Sequence, residues 1–351
     1  MTTSLKRNSG LDLVRAMAIL LVLFLHQIDA VHTTPYSLKV LAIYGWSGVD
    51  IFFVLSGFLI GSQVFKSDFS RPYFESLKEF WTKRWFRTLP LYLFVLFFYM
   101  VIKPLVLGFP FVGDKWTYFF FLQNIFGVQD FAQSWSLCIE EHFYLFFPIL
   151  VYFFTSVRRK PYLILIPLLI SILMRVIIIS KFNIQGEPEL SHLIRFPTYT
   201  NLDGISLGVL LSFTQARWRP IAAKYSSAFF GVGVAFFALT LFLCGAVPTG
   251  AGAVIYPTFL AIGAGLMVIG GNYIQVPKIL TPLFYWISIC SYGAYLWNNV
   301  FIRIIQKYFV GFHWLLGSAF FYLGTFLMAF ITYKLIEQPF LRLRDKFLFN
   351  R

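Results

Sequence analysis

Ten apolar runs, each close to the roughly 17–25 residues that span a bilayer, follow one another along the chain. They lie near 11–31, 46–65, 88–108, 135–155, 161–180, 197–213, 227–246, 252–271, 283–305 and 314–336. Inside a bilayer every backbone polar group must be satisfied by protein, which helices achieve within one segment and open sheets do not. Only 13% of the 351 residues are charged, about half the share of a typical soluble domain. The fold class is therefore all-α: a polytopic integral membrane protein of about ten transmembrane helices, with a single transmembrane domain over 1–351. The segment 116–129, WTYFFFLQNIFGVQ, is apolar but short, and reads as interfacial or re-entrant. The first run is long, holds Arg15 and His26 and is followed by no A-x-A site. It is a retained helix, not a cleaved signal peptide.

The net charge is +14, but the basic residues fall between the apolar runs. Twenty of the 29 lie at Lys6–Arg7, Lys66 to Arg87, Arg158–Lys160, Arg217 to Lys224, Lys278 and Lys334 to Arg351, which are alternate segments of the chain. That bias places both termini in the cytoplasm, and it explains the charge without nucleic acid. A multi-pass protein of the cell's inner, cytoplasmic membrane follows. Cys138, Cys244 and Cys290 form no CxxC pair, so neither a disulfide framework nor a metal site is indicated. No internal repeat recurs.

Ionisable groups within apolar runs are costly and mark function. Asp12, Arg15, Ile19, Val22 and His26 share one stripe of the first helix. Arg15 and His26 are roughly 16 Å apart at 1.5 Å per residue, the arginine near the cytoplasm and the histidine in the outer half. Arg15 taken alone reads first as a snorkelling, positive-inside anchor. The second run, GWSGVDIFFVLSGFLIG, places Asp50 near its outer end, at a depth similar to His26. Its Gly45, Gly48, Ser56, Gly57 and Gly61 let helices approach closely. Arg84 and Arg87, three apart in KRWFRTLPLY, suit either a phosphate clamp or contact with anionic lipid head groups. In SWSLCIEEHFYLFFP, Glu140 and Glu141 lie about 100° apart around a helix, so at most one points well into a cavity shared with His26. Asp203, Tyr292 and the closing IEQPF are weaker signals; Pro339 reads as a helix stop. Walker, GxSxG and HExxH motifs are absent.

Together LDLVRAMAILLVLFLH, GVDIFFVLSGFLI, KRWFRTLPLY, WSLCIEEHFY, SYGAYLWN and IEQPF resemble the acyltransferase-3 family of membrane O-acyltransferases, in order and over nearly the whole chain. The resemblance implies ten helices and transfer of an acyl group, usually acetyl from acetyl-CoA, to sugar hydroxyls of surface or exported glycans. It places the family's essential histidine on His26 and its arginine on Arg15. Its acyl-CoA-associated pair falls on Arg84 and Arg87, its serine on Ser56, and its tryptophan and glutamate on Trp135 and Glu140. Two positions depart from the pattern: His142 stands where a glutamine is common, and Asn298 where a histidine is.

The resulting expectation is an acyl-CoA-dependent O-acyltransferase. His26 is the general base, with Glu140 or Asp50 fixing its tautomer. Arg15, Arg84, Arg87 and Ser56 hold the donor; Trp135, Glu141 and Tyr292 meet the acceptor. That acceptor is a glycan or lipid-linked sugar, lipopolysaccharide O-antigen first. A covalent acyl-enzyme on Ser56 or His26 is the other chemical route. A different class of function is an ion-coupled transporter relaying protons through Asp50, Glu140 and Glu141.

Overall fold

The first apolar run forms a 22-residue helix, α1 (Ser9–Ala30), opened by Asn8, whose side chain accepts the N–H groups of Gly10 and Leu11. In the computed structural model the described residues are 7–154, 160–182, 184 and 186–349, and among them no strand occurs. Lys6, Arg158, Arg159 and Arg351, counted in the charge bias above, lie outside them. The other long helices are α2 (Gly48–Phe65), α3 (Tyr73–Phe97), α4 (Trp135–Phe153), α5 (Ile166–Lys181) and α6 (Asp203–Phe213). They are followed by α7 (Ser226–Cys244), α8 (Gly250–Gly271), α9 (Thr281–Tyr308), α10 (Trp314–Thr332) and α11 (Gln338–Phe349).

Eight helical stretches among the described residues are long and apolar enough to cross a membrane: Ser9–Ala30, Tyr36–Phe65, Tyr73–Leu107, Ala132–Phe153, Tyr162–Lys181, Ser226–Cys244, Gly250–Gly271 and Trp314–Leu348. The remaining two expected runs differ for separate reasons. α6 has 11 residues, about 16 Å of rise, which is too short to cross alone. α9 is long, at 28 residues, but a buried polar edge including Ser288, Ser291 and Asn298 makes it less apolar. The segment 116–129 breaks into Lys115–Phe119 and Gln123–Phe126, two short helices joined through Phe121 at φ 58°. Pro339 does not stop the last helix. A π turn at Tyr333–Glu337 leads into α11, where proline is the second residue and its missing N–H costs nothing.

Two buried clusters share α1 and α2. One gathers α3, α4, α9 and α10 around them; the other gathers α5, α7 and α8. Where helices have no protein neighbour the side chains are apolar: only 17% of the apolar window in α7 is buried, and Phe242 and Leu243 point outward. Lipid is the natural partner of such a face. Asp203, at the start of α6, accepts two bonds from the buried Arg175 of α5 (2.6 and 2.9 Å) and a third from Thr258 of α8. It ties three helices together, so its charge is answered within the framework.

α2 and α6 meet backbone to backbone. A Cβ on Gly57 would sit 2.1 Å from the Ile205 carbonyl oxygen, and one on Gly208 would sit 2.1 Å from that of Val54. A backbone carbonyl cannot step aside as a side chain does. Gly57→Ala should therefore force α6 away from α2, at a cost of about 1–3 kcal/mol. Thermal unfolding of detergent-solubilised protein reads this directly; an unchanged midpoint would show the two helices are not in contact.

Candidate active site

A cavity of about 440 Å³ opens among α1, α2, α3, α4, α9 and α11. Its cations are Arg15, Lys83, Arg84, Arg87 and Arg344; its carboxylates are Glu140 and Asp345. α3 begins at Tyr73, well before the apolar run, so Arg84 and Arg87 stand three apart on one helical face. Both reach the cavity. Arg84 Nη2 donates to Gln63 Oε1 (3.2 Å), and its guanidinium lies over the Tyr144 ring at 5.5 Å. Its Nε is buried without a protein partner. A buried guanidinium N–H left over in this way suits an anion from outside the protein. Arg15 donates through Nη1 to Ser288 Oγ (3.0 Å), which braces α1 against α9.

Beyond the arginines, Glu140 accepts two hydroxyl bonds, from Ser56 Oγ at 2.8 Å and from Tyr144 OH at 2.7 Å. All three residues line the cavity. Tyr144 is one helical turn from Glu140, and Ser56 comes from the facing α2. Ser136 Oγ and Tyr295 OH pair at 2.7 Å further along the wall, near Val49, Phe52 and Phe53. A thioester could lie along this wall with its carbonyl near hydroxyl donors and a carboxylate.

Glu141 points elsewhere. It accepts from Thr88 Oγ1 (2.9 Å), and the Thr88 carbonyl accepts from Tyr292 OH (2.8 Å). The 100° offset from Glu140 turns Glu141 toward α3, which it ties to α4. Tyr292 does line the cavity. Trp135 does not; its ring packs between Phe53 (6.0 Å) and Phe196 (5.2 Å).

The largest correction concerns His26. Neither His26 nor Asp50 is among the residues lining the cavity that holds Glu140. The helix entering before Gly48 is the cause. Tyr36–Ala42 and the 3-10 turn Ile43–Ser47 already form its outer end, so the whole of α2 sits deeper than the sequence suggested. Gly45 abuts Leu21 and Leu25, and Gly48 abuts Ala18 and Val22. Asp50 is thus level with the middle of α1 rather than with His26. Ser56, which holds Glu140, is six residues further, about 9 Å deeper. Nor do Glu140 and Asp50 set the imidazole's tautomer. His26 Nδ1 lies 2.9 Å from the Val22 carbonyl oxygen. A carbonyl only accepts, so Nδ1 carries the proton and Nε2 is the bare nitrogen. That is the atom a general base needs.

Residues 8–334 match the model of the family described as acyltransferase domain. The chain belongs to the acyltransferase-3 family. It is similar to O-acetyltransferase OatA of Staphylococcus aureus strain NCTC 8325 / PS 47, at 29% identity over 363 residues, covering 94% of this chain and 56% of that protein. It is also similar to the putative O-acetyltransferase SACOL0978 of S. aureus strain COL, at 26% over 358 residues, covering 94% and 57%. The chain thus spans little more than half the length of these relatives. No solved structure matches it. Family membership and the apolar helices together make it a multi-pass membrane protein of the acyltransferase-3 family.

Several residues lining the cavity were not singled out from sequence. Tyr144 was findable: it stands four residues after Glu140, where helix geometry brings side chains together. Lys83 adjoins the arginine pair. Ser136, Arg344 and Asp345 carry no local signal, because only the packing of distant helices brings them to the cavity. The two departures from the family pattern have separate surroundings. His142 Nδ1 pairs with Thr198 Oγ1 at 2.8 Å, outside the cavity lining. Asn298 is buried, donating to the Tyr295 carbonyl at 2.7 Å.

Proposed function

We propose that the chain is a membrane O-acetyltransferase of the cytoplasmic membrane, both termini inside, moving acetyl from acetyl-CoA to a hydroxyl of an exported glycan or lipid-linked sugar. One observation carries this reading: a single cavity is lined both by four cations, Arg15, Lys83, Arg84 and Arg87, and by the Ser56–Glu140–Tyr144 group. The cations suit the donor's diphosphate, and the apolar and hydroxyl-bearing remainder of the lining suits a pantetheine arm. With the pantetheine arm extended past Glu140 toward the outer side, the acyl carbon meets the acceptor at His26, whose Nε2 takes the hydroxyl proton as the oxygen attacks. Lipopolysaccharide O-antigen is the first acceptor to test, because such sugars are exported and carry free hydroxyls.

The Ser56–Glu140 bond favours one second route. Ser56 Oγ attacks the thioester carbon and passes its proton to Glu140; the C–S bond breaks, and the departing sulfur takes that proton. An acceptor hydroxyl entering the cavity would then attack the acyl-serine, giving its proton through Glu140 to Ser56 Oγ as the serine ester bond breaks. Ion-coupled transport gains no support, since Glu140 and Glu141 are each held by hydroxyl donors and the family is one of acyltransferases. The test is thioester consumption. Membranes containing the protein should release CoA when given acetyl-CoA and glycan acceptor, with acetyl appearing on the glycan by mass spectrometry. Acetylated glycan without CoA release would point to another donor, and neither product would remove the enzyme reading.

A further inference from the structure

The family match ends at residue 334, yet three residues lining the cavity lie beyond it: Arg344, Asp345 and Leu348, all on α11. This helix is amphipathic and is seated on α3. Phe340 and Phe347 pack against Phe86, with ring centroids 6.4 and 5.8 Å away. Phe86 lies between Arg84 and Arg87 in sequence, so the same stretch of α3 that offers the arginine pair also holds α11 in place. Arg344 donates from Nε and Nη2 to one oxygen of Asp345, at 2.9 and 2.7 Å. The two side chains are 24% and 51% exposed. A pair between sequence neighbours, open to water, contributes little on its own. A phosphate brings more charge and more acceptor oxygens to the same guanidinium.

We infer that Arg344 is the outermost phosphate-binding residue of the cavity, and that Asp345 is the anion a donor phosphate displaces from it. The inference rests on the acyl-CoA reading above. In such a donor the groups follow in order: thioester, pantetheine arm, diphosphate, ribose with its 3′-phosphate. With the thioester toward Glu140 and the diphosphate at Arg84 and Arg87, the 3′-phosphate is left at the mouth, where α11 stands. The chemistry is recognition of a phosphate monoester, and a lipid head group could offer one too.

The test measures binding of CoA and of 3′-dephospho-CoA to the full chain in nanodiscs of zwitterionic lipid only, with a second set containing anionic lipid. Wild type should bind CoA about tenfold more tightly than the dephospho form, the worth of one charge-assisted contact. Arg344→Gln should shrink that gap to within twofold and leave the dephospho form unaffected. Asp345→Asn should tighten CoA, a change of sign that loss of helix packing would not produce. Equal CoA affinity of wild type and Arg344→Gln in zwitterionic discs would overturn the inference while leaving the donor reading intact. So would an Arg344 effect seen only with anionic lipid, which would assign the site to a head group. If wild type binds neither nucleotide, the donor reading falls and the inference with it.

Discussion

Replacing His26 by alanine should lower acyl transfer by roughly 10²–10⁴-fold, the range that a positioned general base contributes, while CoA still binds. The separation of those two effects follows from the structure. His26 lies outside the cavity lined by Arg15, Arg84 and Arg87, so removing the ring takes no contact from a bound nucleotide. The ring's own hydrogen bond, to the Val22 carbonyl, is local to α1, so folding should survive its loss. The measurement is acetyl transferred per folded protein, alongside CoA binding to the same preparation. Activity within threefold of wild type would take the base assignment away from His26. Loss of CoA binding would mean the CoA portion itself contacts the histidine, contrary to the lining observed.

Glu140→Gln should lower transfer by about 10²-fold with little change in the amount of folded protein. The amide keeps the carboxylate's size but replaces one acceptor oxygen with an N–H₂ donor. Ser56 and Tyr144 both donate hydroxyls to this side chain, so one of them must turn to accept the amide N–H, and both bonds lose their charge assistance. A hydrogen bond to a charged group contributes about 1.5–3 kcal/mol, and about 1.4 kcal/mol of lost transition-state stabilisation is tenfold in rate. Ser56→Ala separates the chemical routes. Direct transfer tolerates it within about tenfold, because Tyr144 still holds Glu140. An acyl-serine route loses all transfer, and also loses the labelled protein that radioactive acetyl-CoA would otherwise leave. A Glu140→Gln variant as active as wild type would remove the carboxylate from the chemistry under either route.

Much of the framework was legible because a bilayer enforces a simple pattern: apolar runs of spanning length became helices at nearly every position expected. Arg84 and Arg87 were readable as one face, since three-residue spacing means the same thing on any helix. The relation between Glu140 and Glu141 was readable for the same reason, and the structure gives one to the cavity and the other to Thr88. What could not be read was depth. Tyr36–Ser47 is helical although it lies before the strongly apolar run, and that extra length lowers Asp50 and Ser56 relative to α1. A shift of a few residues along a helix axis moved Glu140 from His26's neighbourhood to Arg15's. Pro339 misled for a related reason: a π turn absorbs it, so α11 continues and brings Arg344 to the cavity. Neither event leaves a mark in local composition.

The central claim is that the arginine-lined cavity holds the acyl donor. A structure of the protein in lipid with a non-hydrolysable thioether analogue of acetyl-CoA tests it directly. The account predicts the diphosphate against Arg84 and Arg87 and the pantetheine arm running along Ser56 and Glu140. Lipid filling that cavity, with the analogue bound elsewhere or not at all, would contradict it.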